Sequence, residues 1–169
     1  MSNHSPTLVR MTARVAPGSG ADLALLLLGC YRRLIDTVIS ELEERGHEDL
    51  RASHHYAMTA IDAGADNASE LARRMAVTKQ GAARTIETLL DRGYVVREQD
   101  PADARRKKIR VTPLGHEVMR QGAAVLDRLR RQWGRQLGSA GLARLEHQLT
   151  ALVGDAPVRL EAPGWVAHD

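Results

Sequence analysis

Between Asn67 and Gly115 the chain carries, in unbroken order, the signals of a helix, a short turn, a second helix, a basic hairpin and a fresh helix start. Asn67 can cap a helix that has Glu70 three residues on, and Leu71, Ala72 and Met75 then fall on one face. Thr78 can cap the next helix, which keeps Ala82, Ile86, Leu89 and Leu90 inward and stops at Gly93. The turn between them takes about three or four residues, the helix-turn-helix spacing, with Ala76 and Val77 where a glycine usually stands. Beyond Gly93, Tyr94–Glu98 is a β-type run, and Lys108–Thr112 alternates outward charge with inward aliphatic side chains. Gln99–Lys107 between them is rich first in turn formers, then in cations. Thr112 and Pro113 supply a cap and a first-position proline. Leu114, Val118, Val125, Leu126, Leu129, Trp133 and Leu137 then predict a helix of about 25 residues, close to 37 Å. The expected fold is mainly α with a small β-hairpin wing, an α+β winged helix-turn-helix.

Long apolar patterns flank this unit. Ser19 to Asp22 can start a helix on which Leu23, Leu26, Leu27, Cys30, Tyr31, Leu34, Ile35, Val38, Ile39 and Leu42 recur at helical spacing until Gly46. A shorter helix is expected over about Ser53 to Ala63, with Tyr56, Ala57, Ala60 and Ile61 inward. Leu142, Leu145, Leu149 and Leu152 mark a last helix before Gly154. The end helices expose apolar stripes too large for a lone subunit, so they are expected to form a homodimer. The division that follows is a flexible arm over 1–18, dimerisation helices over 19–50 and 113–153, a winged helix-turn-helix over 51–112 and a disordered tail over 154–169.

Charge says what the central unit meets. Residues 71–135 hold 16 Lys and Arg against 7 Asp and Glu, net +9, whereas the remainder holds 8 against 14, net −6; the overall +3 conceals a divided chain. The basic part is built to meet an anion. With two Trp, three Tyr and no Phe, the chain lacks the serial flat rings that single-stranded nucleic acid stacks on, so double-stranded DNA is the expected partner. The Leu23–Leu28 block is too short to span a bilayer, and Met1–Gly20 has no continuous apolar core, so neither a membrane span nor a signal peptide is expected and the cytoplasm is the expected compartment. The lone Cys30 cannot form an internal disulfide. Phosphate loops, nucleophile elbows and HExxH are missing from the sequence, so neither an enzyme nor a cofactor is expected.

A recognition helix needs a polar face toward the major groove, about 12 Å wide, and an apolar face toward its own domain. Thr78, Lys79, Gln80, Ala83 and Arg84 supply the first face. Arg84 is suited to guanine O6 and N7, Gln80 to an adenine edge, and Thr78 and Lys79 to phosphate. Arg105, Arg106, Lys107 and Lys108 are expected along the DNA backbone or in the minor groove, with Asp103 orienting Arg105.

The string Asp100-Pro101-Ala102-Asp103-Ala104-Arg105 through Val111-Thr112-Pro113-Leu114-Gly115, with the helix Thr78–Arg84, resembles the MarR family of bacterial transcription regulators over roughly Asp22 to Val153. That resemblance implies a homodimer whose first and last helices interlock, each subunit presenting one winged helix to DNA, with repression as the expected action. It also implies an effector cleft between the dimer helices and the winged helix, for which Tyr31, Leu34, His54, His55, Met58 and Trp133 are the candidate side chains, and a small organic effector. Some members sense peroxides through a first-helix cysteine or bind zinc. Cys30, however, lies between Leu27 and Tyr31 on the apolar face, where a thiol acts as a small hydrophobe, and the adjacent His54 and His55 diverge on a helix and cannot easily share an ion. A redox- or metal-responsive regulator of the same fold, or a winged helix used for protein contact, are the alternatives; steep salt dependence belongs to DNA binding alone.

Overall fold

The computed structural model describes residues 18–100 and 103–154, with the backbone alone over 103–106. Six helices and one hairpin follow each other: α1 (Gly20–Glu44), α2 (Ala52–Asp62), α3 (Ala68–Met75), α4 (Lys79–Asp91), β1 (Val95–Asp100), β2 (Asp103–Val111), α5 (Pro113–Leu137) and α6 (Ser139–Val153). Apart from Gly18 and Gly154, the arm expected over 1–18 and the tail expected over 154–169 lie outside the described residues.

Side-chain caps set most helix starts. Ser19, Asn67, Thr78 and Thr112 each accept the amide of the third residue on, at 3.0–3.1 Å. α2 begins at Ala52, one residue before the expected Ser53, because the Arg51 amide donates to Nδ1 of His54 at 3.3 Å. In the helix-turn-helix turn, Ala76 itself takes the left-handed conformation, φ 55°, that glycine adopts at no steric cost.

The core gathers Ala57, Met58 and Ile61 of α2, Leu71 and Met75 of α3, Ile86 and Leu89 of α4, and Tyr94, Val95, Ile109 and Val118 around them. α1 and α5, each 25 residues long, lean together and are tied where Arg128 grips the Glu41 carboxylate with both terminal guanidinium nitrogens. Arg130 makes a two-pronged pair with Glu146, 2.6 and 2.9 Å, and so joins α5 to α6. Leu23 and Leu26 near the start of α1 stay 55% and 59% exposed, and Leu152 near the end of α6 stays 79% exposed. Among the described residues no helix is long and apolar enough to cross a membrane.

The hairpin departs from the expected bounds. Its antiparallel register runs from Val95 opposite Val111 to Gln99 opposite Lys107, with an irregularity at Gln99 and Asp100. Tyr94 is drawn out of the strand because its amide closes the end of α4 on Leu89 O at 2.9 Å. β2 extends upward to Asp103, through the cation-rich segment read as turn, since backbone pairing is indifferent to those side chains.

Candidate nucleic-acid interface

α4 is fastened by one face and open on the other. Ala82, Ile86 and Leu89 are buried, while Thr78, Lys79, Gln80 and Arg84 are exposed. Thr78 Oγ1 occupies itself with Gly81 N at 3.0 Å, so the hydroxyl caps the helix while its oxygen-bearing end stays at the surface. Ala83 is half-buried and turns toward the wing, where it lines a hollow of about 170 Å³ with Ile86, Asn67, Ala68, Arg97, Lys107 and Ile109.

The wing is pinned to the helix-turn-helix at its base. Ile109 N donates to Asp66 O at 2.9 Å, extending the hairpin's backbone pairing to the turn before α3. Lys108 is committed within the protein rather than to the wing surface: its ammonium lies 3.1 Å from the Asp100 carboxylate, which is almost fully buried, and 3.8 Å from that of Asp66. Asn67 Nδ2 donates to the same Asp66 side chain at 2.8 Å. Lys107, next along, is exposed and faces the hollow. The side chains of Asp103, Arg105 and Arg106 lie outside the described residues, so the expected Asp103–Arg105 pairing does too.

Arg97, absent from the residues the sequence suggested, is exposed on β1 beside Lys107. Strand alternation was the signal that could have found it: with Val95 inward, Arg97 must share the inner face.

The six candidate effector residues separate into three places. His55 and Met58 line an apolar cavity of about 100 Å³ between α1, α2 and α5, walled also by Val38, Ile39, Leu42, Arg51, Tyr56 and Val118. Tyr31 neighbours Tyr56; burial chiefly, then that neighbour, raise the Tyr56 phenol above its ordinary range. His54 is buried and turned to its own helix start. Burial lowers both imidazoles below the usual histidine range, with Arg51 and Arg92 adding to the effect at His54. Leu34 and Trp133 sit farther along, in a hollow with Leu142 and Leu145 between α1, α5 and α6. Cys30 is exposed at an open groove near Arg33, Arg128 and Trp133. Among the described residues no group of three His, Cys, Asp or Glu is placed to hold a metal ion.

Residues 48–106 match the family model of the MarR family. No curated protein matches the chain in sequence. Solved structures with the same fold include the reduced form of MarR from E. coli, 21% identical with a TM-score of 0.63, covering 80% of this chain and 97% of that one. A single-substitution mutant of the same E. coli protein, complexed with operator DNA, aligns at 21% identity and TM-score 0.58 over 79% of this chain and 93% of its own. CouR from Rhodococcus jostii, bound to p-coumaroyl-CoA, aligns at 22% identity and TM-score 0.58 over 81% and 95%.

Proposed function

We propose that the protein is a transcriptional repressor that binds double-stranded DNA sequence-specifically as a homodimer, on an inverted-repeat operator, with its affinity tuned by a small organic effector. The observation that carries this reading is the exposed polar face of α4, capped at Thr78 and flanked by a basic hairpin, within a segment of MarR-family sequence. In this reading Arg84 and Gln80 read base edges, Thr78 and Lys79 meet phosphate, and Arg105, Arg106 and Lys107 follow the backbone or minor groove. The dimer takes up the apolar stripes of α1 and α6 that a lone chain leaves in water. The small apolar cavity against α1 and α5 would receive the effector, and a ligand preferring one spacing of the reading heads shifts DNA affinity by its differential affinity and no more.

The test is binding to the DNA upstream of the protein's own coding sequence, measured over a salt series and with a panel of small organic ligands. A steep fall of affinity with salt and a protected inverted repeat, half-site centres about one helical turn apart, support the reading. Arg84→Ala should cost about 1–3 kcal/mol at the operator and less on random DNA. Salt-insensitive binding, or tolerance of about 5 bp inserted between half-sites, would remove the docking model.

A further inference from the structure

The wing carries cations on both faces, and its register sorts them. Arg97 pairs with the buried Ile109, and Gln99 with Lys107, so Arg97 and Lys107 project from the same face as Ile109. That face closes on the start of α3 and on the Ala83–Ile86 stretch of α4, leaving the hollow of about 170 Å³ between wing and helix. Arg110 stands opposite Val96 on the other face and meets Glu98 at 3.6 Å. Lys108 is held by Asp100 and Asp66.

We propose that Arg97 and Lys107 form a seat for one backbone phosphate of double-stranded DNA, set between wing and recognition helix, and that this phosphate fixes how deeply α4 enters the groove. The proposal rests on the DNA-binding reading above and adds a residue and a position to it. Its geometry is favourable to an anion in three respects. Two exposed cations converge on one concavity. A carboxylate, that of Asp66, also lines the hollow, but it is engaged by Lys108 and by the Asn67 amide, so its repulsion is offset. The α4 wall is Ala83, immediately before Arg84, and its single methyl lets a phosphate approach beside the part of the helix expected to read bases. A hollow that holds a few water volumes of about 30 Å³ each accommodates a phosphate but not a stacked base pair. Held there, the contact is independent of sequence; it positions rather than specifies.

The experiment uses the full-length protein and a short fluorescent duplex of random sequence, with affinity followed by anisotropy across a salt series. The Arg97→Gln, Lys107→Gln double variant is expected to lower the slope of log affinity against log salt by about 0.9, one phosphate's worth. Arg97→Lys should retain the wild-type slope, and so should Arg110→Gln on the opposite face. Because Arg97 and Lys107 are exposed, thermal melting of the variants should match the wild type. A double variant that keeps the wild-type slope, or an Arg110→Gln loss as large as the double variant's, overturns the phosphate seat while leaving DNA binding intact. A wild-type protein whose duplex binding ignores salt overturns the underlying reading as well.

Discussion

Gly115 stands in the first turn of α5, where helix propensity alone says that alanine is better by about 1 kcal/mol. The structure reverses the sign. A Cβ built there would lie 2.2 Å from the Tyr94 carbonyl oxygen and 2.7 Å from Val111 Cγ1, against the 3.5 Å or more at which carbon atoms pack comfortably. The obstacle is backbone, and it is held: Tyr94 O accepts from Thr112 N at 3.0 Å, while the Thr112 hydroxyl donates to Gly93 O at 2.7 Å and accepts from Gly115 N at 3.1 Å. Making room requires displacing α5 from the wing base. That costs about 1–3 kcal/mol of overpacking and about 1 kcal/mol for each of roughly two loosened hydrogen bonds. Set against the propensity gain, Gly115→Ala should destabilise by about 2–4 kcal/mol. Gly134→Ala, on the same helix with Leu142 Cδ2 at an ordinary 3.5 Å, is the control and should stabilise by about 0.5–1 kcal/mol. Urea unfolding at fixed protein concentration reads both. A Gly115→Ala protein as stable as the wild type, or more so, would refute the claim that α5 and the wing base meet backbone to backbone.

Further outcomes follow from single contacts. Ala76→Gly should raise stability by about 0.5–1 kcal/mol in the same urea assay, since relief of the left-handed φ of 55° exceeds glycine's entropic cost. Lys108→Gln should cost about 1–3 kcal/mol by withdrawing the cation from buried Asp100, whereas Lys107→Gln should leave the unfolding midpoint unchanged. Stability should also fall as pH drops below about 6.5: the unfolded chain takes up protons near the ordinary histidine value of 6.5, while His54 and His55, with depressed values, resist them. The contribution is thus complete above about pH 6.5 and declines as pH drops toward the folded values. Glu41 and Glu70, held below 4.5 by their arginines, lose their contributions only in more acidic solution. His54→Gln and His55→Gln should each flatten this slope if the imidazoles carry it.

The joint at Tyr94 gives these contacts a mechanical meaning. Its ring is buried, its hydroxyl meets His47 Nδ1 at 3.2 Å beyond α1, its amide closes α4, and its carbonyl receives the Thr112 amide before α5. One residue therefore joins the segment after α1, the end of α4 and the start of α5.

What was legible in the sequence was local. Caps at Ser19, Asn67, Thr78 and Thr112, the order of helices and hairpin, and the two faces of α4 all depend on residues within about a turn of one another, and periodicity reports such relations directly. The fate of a charge is different, because it is decided by what the fold brings opposite it. Arg97, Lys107 and Lys108 are alike on paper. Only the hairpin register and the approach of the α2–α3 turn send Lys108 to Asp100 and Asp66 and leave Arg97 and Lys107 open beside α4. In the same way, neighbouring histidines part company, His54 toward its own helix start and His55 into the cavity, through a rotation that α1 and α5 resolve. Gly115 and Ala76 complete the contrast: propensity alone would place alanine at both, and the tertiary structure reverses that preference, through a carbonyl 2.2 Å from any added Cβ in the first case and a left-handed turn in the second. Short-range physics set the elements, and long-range packing decided which surfaces and side chains remained free to act.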